Sequence, residues 1–263
     1  MSVSSFSASA RRTFALLGLS AALSACVTST ERENNTDTKP DLAEAARLNT
    51  QLGIDYARQG QYELALEKLK RAVDQDSRSP LANSSIAFVY ARLGDDKLAE
   101  KHYRRAVELK SDDPDVRNNF GVFLCGHGRA AEGEQQLKLA IEDKRYRTPE
   151  VALTNAGVCA RKLPDLDKAE HYFREALKIS PQFGDALSQM AWLSYQKKDY
   201  LRARAFLQRY QMVGKPTPET LQIGALTETA LGDLASARAY QQRLRQEFPE
   251  SVESGHLPPI PSP

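Results

Sequence analysis

The sequence predicts an all-α solenoid of six stacked helix-turn-helix units, and three observations predict it. A small residue recurs at Gly53, Ala87, Gly121, Gly157, Ala191 and Ala225, at intervals of 34, 34, 36, 34 and 34 residues. A second small residue follows each of them by twelve positions, at Ala65, Ala99, Gly133, Ala169, Ala203 and Ala237. Between the two stands a turn-former, Gly60, Gly94, Gly128, Pro164 or Gly232, with Lys198 in its place in the fifth copy. A fixed period of this length marks a repeat architecture. Each unit is a hairpin that cannot bury its apolar face alone and therefore stacks on its neighbours.

Taken from the N-terminus, the chain opens with a leader. Arg11 and Arg12 form a positive start, and the apolar run from Phe14 to Ala25 is too short to span a bilayer as a permanent helix. The run ends Leu23-Ser24-Ala25-Cys26, which resembles a bacterial lipobox, with Cys26 as the thiol that takes the lipid. An ordinary secretory signal followed by a chance cysteine is the alternative. Ala10-Arg11-Arg12-Thr13-Phe14 also shares part of a twin-arginine export motif, although two arginines serve an ordinary leader equally well. Val27 follows the cysteine, and where an aspartate at that place is the retention signal, its absence implies sorting to the outer membrane.

The leader (1–25) is thus expected to be cleaved, leaving lipidated Cys26 on a polar tether over 26–44, too poor in apolar side chains to offset its ordering entropy. Arg11 and Arg12 account for the whole charge excess. Of 36 Lys+Arg against 34 Asp+Glu, two arginines leave with the leader, so the mature chain carries 34 of each and a net charge of zero. No basic patch points to nucleic acid.

The repeats cover 45–249, as units at about 46–79, 80–113, 114–149, 150–183, 184–217 and 218–249. Each is two helices of about 12–14 residues whose small residues let the axes close to about 8 Å. Leu69, Tyr103, Leu137, Phe173 and Leu207 fill the space beside the crossings, followed by Ala72, Ala106, Ala140 and Ala176. The third unit is longer by two residues, in the segment Lys144 to Pro149. In the fifth and sixth units Tyr210 and Leu244 replace the late alanine, which predicts looser packing and a capping role for the sixth. The Pro-rich tail, 250–263, reads as extended or disordered.

This pattern resembles the tetratricopeptide repeat, a right-handed superhelix whose first helices line the concave face. In that family the residue after the crossing position points into the groove. Here that residue is Ile54, Phe88, Val122, Val158, Trp192 or Leu226, apolar in every copy. The column either presents a surface for a partner's amphipathic helix or extended peptide, or is buried by curvature between units. One turn earlier lie Thr50, Ser84, Asn118, Thr154, Ser188 and Gln222, able to bond a bound peptide backbone or to stay solvated. Trp192, the only tryptophan, shares a helix face with Tyr195, as an anchor or as core.

Cys125 and Cys159 lie late in the first helices of units three and four, which run side by side, so the two sulfurs can meet. A bridge between them would close a loop of about 35 residues, worth on the order of 3 kcal/mol, and two buried free thiols are the alternative. Catalysis finds no support. His102, His127, His171 and His256 form no ligand pair, and no Gly-rich phosphate loop or nucleophile elbow is present. No metal site, cofactor or small-molecule substrate is expected.

Asn118-Asn119-Phe120-Gly121-Val122-Phe123-Leu124-Cys125-Gly126 resembles the Asn-Asn-Tyr-Gly-x-Phe-Leu-Cys segment of the type IV pilus biogenesis and stability lipoproteins, the PilF/PilW type. Asn155-Ala156-Gly157-Val158-Cys159 resembles their Asn-x-Gly-x-Cys segment, and Phe120 replaces the usual tyrosine. The resemblance strengthens the Cys125–Cys159 pairing. It implies an outer-membrane lipoprotein facing the periplasm, with the pilus secretin subunit as protein partner. Some members are pilotins that promote secretin localisation and assembly, and others act mainly in pilus stability. The open alternatives are a general scaffold for another envelope assembly machine and, more remotely, an enzyme.

Overall fold

In a computed structural model of the chain, residues 41–163 and 165–255 are described. The leader, Cys26, the tether up to residue 40, Pro164 and the tail from residue 256 lie outside the described residues.

Thirteen helices and no strand occur among the described residues. Six antiparallel pairs follow one another: α1 (Leu42–Arg58) with α2 (Tyr62–Gln75), α3 (Pro80–Arg92) with α4 (Asp96–Leu109), and α5 (Pro114–Gly126) with α6 (Ala130–Glu142). Then come α7 (Pro149–Ala160) with α8 (Leu166–Ile179), α9 (Gly184–Gln196) with α10 (Tyr200–Gln211), and α11 (Pro218–Leu231) with α12 (Leu234–Glu247). A short α13 (Val252–Gly255) ends the described chain.

The helix boundaries follow local chemistry. Asp41, Ser79, Asp95, Asp113, Asp165, Asp199 and Asp233 each accept a hydrogen bond from a backbone N–H in the first turn of the helix that follows. Proline opens α3, α5, α7 and α11, where its missing N–H leaves nothing unsatisfied. Gly60, Gly94, Gly128 and Gly232 turn the chain inside their units with φ between 75° and 83°. Lys198 takes the same left-handed conformation at φ 61°, without glycine's freedom.

The two helices of a unit bury different fractions of their surface. Second helices bury one stripe at i, i+4, i+7: Ala65, Leu69 and Ala72 in α2, and Ala169, Phe173 and Ala176 in α8. First helices from α3 onward are buried on most sides, α3 through Ala82, Asn83, Ser84, Ile86, Ala87, Val89 and Tyr90, whereas α1, with no unit before it among the described residues, buries only Ala46, Thr50 and Gly53. Neighbour relations give the reason. The backbones of successive first helices approach closely, α1 with α3 through to α9 with α11, whereas successive second helices stand further apart and meet through long side chains. The stack therefore curves with its first helices on the inner face.

Ion pairs join successive second-helix layers. Glu100 pairs with Arg129 at 2.6 Å, Glu134 with Lys168 at 2.6 Å, and Glu170 with Arg202 at 2.6 Å. Glu134 also accepts from the Tyr172 hydroxyl at 2.8 Å. Between the last two units the polarity reverses, and Arg204 donates to buried Glu228, Nε to Oε1 at 2.9 Å. Each acid on the first three rungs stands directly after the second small residue of its unit, so the set is periodic as well.

Three local expectations are corrected. The helical array begins at Leu42 rather than at 45, because Asp41 caps it through the Ala43 and Glu44 amides. Residues 252–255 are helical rather than extended: the Ser254 hydroxyl donates to the Phe248 carbonyl at 2.8 Å and reaches the Leu244 carbonyl at 3.3 Å. Tyr210 and Leu244 do not loosen their units. Both are buried, and the Tyr210 hydroxyl donates to the Lys215 carbonyl at 2.6 Å, pinning the loop before α11. The longer loop of the third unit is likewise filled. Tyr146 packs against Ala140 and Ala152, and Arg145 reaches back to the Asp112 carboxylate at 2.9 Å.

Candidate protein-binding groove

The inner face is built from α1, α3, α5, α7, α9 and α11. Of the residues after each crossing, Phe88 and Val122 are 43% and 44% exposed, and Ile54, Val158, Trp192 and Leu226 are half-buried. No member of the column is fully buried. In the N-terminal half, Ile54, Leu81 and Phe88 line a depression of about 360 Å³ floored by Leu69, with Ser84 and Asn119 at its side. Leu81 is 57% exposed, so this region presents a continuous apolar strip to solvent.

The C-terminal half is different. The Arg161 guanidinium, at the C-cap of α7, lies 3.3 Å from the centroid of the Trp192 ring on α9 and donates to the Gln189 carbonyl oxygen. Trp192 is thus neither bare anchor nor closed core; a cation covers one face. Tyr195, three residues on, is half-buried and packs towards Tyr200 at 5.7 Å between ring centroids.

Most of the polar column expected at the groove is taken up inside the fold; Ser188 and Gln222 are half-buried, and Ser84 reaches only the side of the N-terminal depression. Thr50, Ser84, Asn118 and Thr154 are buried, and a buried hydroxyl or amide must find a partner within the fold. Thr50 donates to the Ala46 carbonyl at 2.7 Å, and Thr154 to the Glu150 carbonyl at 2.8 Å. Asn118, assigned to the groove from sequence, instead accepts from the Asn155 amide at 2.9 Å and ties α5 to α7. Asn119 donates to Ser84 at 3.3 Å and ties α5 to α3 in the same way. The polar groups partly open on the inner face lie one residue later, at Gln51, Ser85, Asn119, Asn155 and Gln189. Their recurrence two residues before each of the first five crossings was readable in the sequence; Ile223 holds that place in the sixth.

Cys125 and Cys159 are joined by a disulfide, with Cα atoms 5.5 Å apart and both residues buried. The bridge links α5 to α7 beside Val122 and Val158 and fixes one step of the inner face. The Lys162 ammonium donates to the Cys125 carbonyl at 2.8 Å, a second tie across the same step. The Cys125 sulfur also explains why this unit alone has glycine at both crossing positions. A Cβ on Gly133 would lie 2.3 Å from that sulfur and 2.7 Å from the Gly121 carbonyl oxygen.

Two histidines serve packing. His127 contacts the Phe123 carbonyl at 2.7 Å and Asp96 at 2.9 Å, bridging α5 to α4. His102, on α4, is half-buried. It stacks on Tyr90 with centroids 5.7 Å apart, and burial lowers its basicity. No group of three or more His, Cys, Asp or Glu side chains is placed to hold a metal among the described residues.

Comparison with known proteins agrees with this architecture. Tetratricopeptide-repeat profiles match residues 50–114 and 162–219. The type IV pilus assembly protein PilF of Pseudomonas aeruginosa is 28% identical over 235 residues, covering 89% of this chain and 93% of that protein. The crystal structure of PilW, described as a widely conserved type IV pilus biogenesis factor, superposes with a TM-score of 0.72 at 30% identity, covering 81% of this chain and 97% of PilW. The solved PilF structure gives a TM-score of 0.71 at 28% identity over 81% and 96% of the two chains. The repeat profiles and the matches over most of both chains point the same way, and the chain belongs to the PilF/PilW family of tetratricopeptide-repeat proteins of type IV pilus biogenesis.

Proposed function

We propose that this chain is a non-catalytic adaptor, a pilotin that binds a segment of the pilus secretin on its inner face and delivers it to the outer membrane. Lipid on Cys26 would tether the solenoid there, facing the periplasm, and the neutral mature chain needs no anionic surface to hold it. The observation that carries the reading is the exposed apolar strip of Ile54, Leu81, Phe88 and Val122 on the N-terminal half of the inner face. A partner side chain that covers such a residue gains about 1.5–3 kcal/mol per fully buried aliphatic or aromatic group. The disulfide beside Val122 and Val158 would keep that face from flexing as the partner docks, which limits the ordering cost of binding.

The test separates tether from groove. In a deletion strain, secretin multimers should fall in the outer-membrane fraction and accumulate as monomer or with the inner membrane. Phe88→Glu with Val122→Glu should reproduce that loss in a chain that still labels with palmitate. Cys26→Ser should abolish labelling and outer-membrane fractionation. Unchanged secretin multimers in the deletion strain would overturn the pilotin reading. Unchanged multimers in the double variant would move the contact surface elsewhere.

A further inference from the structure

The C-terminal half of the inner face holds a charged group that the fold leaves uncompensated. Arg161 has no carboxylate partner among the described residues, whereas the inter-layer bases Arg129, Lys168, Arg202 and Arg204 all have one. Its Nε–H is buried without an acceptor, and the one hydrogen bond its guanidinium makes among the described residues goes to the neutral side-chain amide of Gln189. Burial pulls the guanidinium down to about 10, with no neighbouring acid to restore it. Half-burying a cation without an anion is costly, and the usual resolution is a paired, hydrogen-bonded carboxylate. The guanidinium plane is already oriented. Trp192 holds one face at 3.3 Å, and Gln189 on the next first helix fixes one terminal nitrogen.

We propose that Arg161, Trp192 and Gln189 form a carboxylate-reading site in the crease between α7 and α9, and that it takes an aspartate or glutamate side chain of a bound polypeptide. Arg161 supplies planar N–H donors to the acid. Val158 and Tyr195, half-buried beside it, receive the apolar residues flanking that acid. The site deepens the adaptor reading and rests on the inner face being a peptide-binding surface. It adds a rule for the occupant: an acidic residue among apolar ones, read by units four and five, in addition to the apolar strip of units one to three.

The test uses random linear peptides displayed without a free C-terminus and selected on the detergent-solubilised mature chain. Peptides retained by the native chain should be enriched in Asp or Glu beside apolar residues. Arg161→Gln should lose the enrichment, and Arg161→Glu should exchange it for Lys or Arg. For one selected acidic peptide, replacing its acid with the matching amide should weaken binding to the native chain about tenfold. That peptide should also change the emission of Trp192, the only tryptophan, and the amide form should not. Arg161→Gln should melt no lower than the native chain, since it removes an unpaired charge. An empty or acid-neutral native pool, or the same pool on Arg161→Glu, overturns the proposal. So does a lowered melting temperature with unchanged peptide selection, which would make Arg161 a staple between α7 and α9. Random peptides carry no pilus sequence, so failure here leaves the secretin assay standing, and the reverse holds equally.

Discussion

Replacing Gly133 by alanine tests a helix crossing that has no room for a Cβ. The added methyl would sit 2.3 Å from the Cys125 sulfur, 2.7 Å from the Gly121 carbonyl oxygen and 3.0 Å from the Cys125 amide nitrogen. None of these is the free end of a flexible side chain. The sulfur is held by Cys159, and the other two atoms belong to helix backbone. Relief therefore requires α5 and α6 to separate, an overpacking cost of about 1–3 kcal/mol. The matched control is Gly126→Ala, where the new methyl meets nothing within 4 Å. Glycine to alanine in a helix gains up to about 1 kcal/mol when space allows. That gain applies at both helical positions and largely cancels, so the two variants should differ by about 1–3 kcal/mol, which for a chain of this size separates their melting temperatures by roughly 2–10 °C. Differential scanning calorimetry under non-reducing conditions reads this directly. A cycle with Cys125→Ala adds a second check. Removing the sulfur lifts the shortest contact but leaves the Gly121 oxygen, so the double variant should be partly, not fully, relieved. Equal melting temperatures for Gly133→Ala and Gly126→Ala would refute the close-approach argument.

Three further outcomes follow from the same structure. Reducing the Cys125–Cys159 bridge, whose cysteines are 34 residues apart, should cost roughly 3–4 kcal/mol in the chain-entropy model, seen as a lower urea midpoint with reductant than without. Lys198→Gly should raise stability by about 0.5–1 kcal/mol by removing a side chain from a left-handed residue, and a lowered urea midpoint would contradict that. Burial by itself raises the Glu134 carboxyl, but hydrogen bonds from Lys168 and Tyr172 outweigh it and hold the group below its ordinary value of 4.5. Its contribution is therefore present above pH 4.5 and lost as pH falls through the lower folded value, so Glu134→Gln should flatten that part of the acid-unfolding curve.

The repeat was legible because a helix crossing constrains composition locally. Only a small residue lets two axes close, and Gly53 through Ala225 mark those places whatever surrounds them. The turns were legible for a similar reason, with Lys198 the position where conformation overrode residue preference. The adjacency of Cys125 and Cys159 could be read because both sit late on neighbouring first helices, four and two residues beyond their crossings. The inter-layer ion pairs were missed although Glu100, Glu134 and Glu170 recur at one register position. Alone, each acid looks like a solvated helix face. Its partner lies in the next unit, where burial makes it count.

By itself, the sequence determined the number of units, their boundaries within a few residues, and the apolar column after each crossing. The tertiary structure alone decided which of two neighbouring columns faces the groove. A single step along a helix turns the side chain by about 100°. Asn118 therefore points into the α5–α7 joint, while Asn119 stays partly open beside the apolar strip. That choice depends on how one unit is rotated against the next, which no local pattern encodes. The same rotation sets Arg161 over Trp192, with no carboxylate beside it among the described residues.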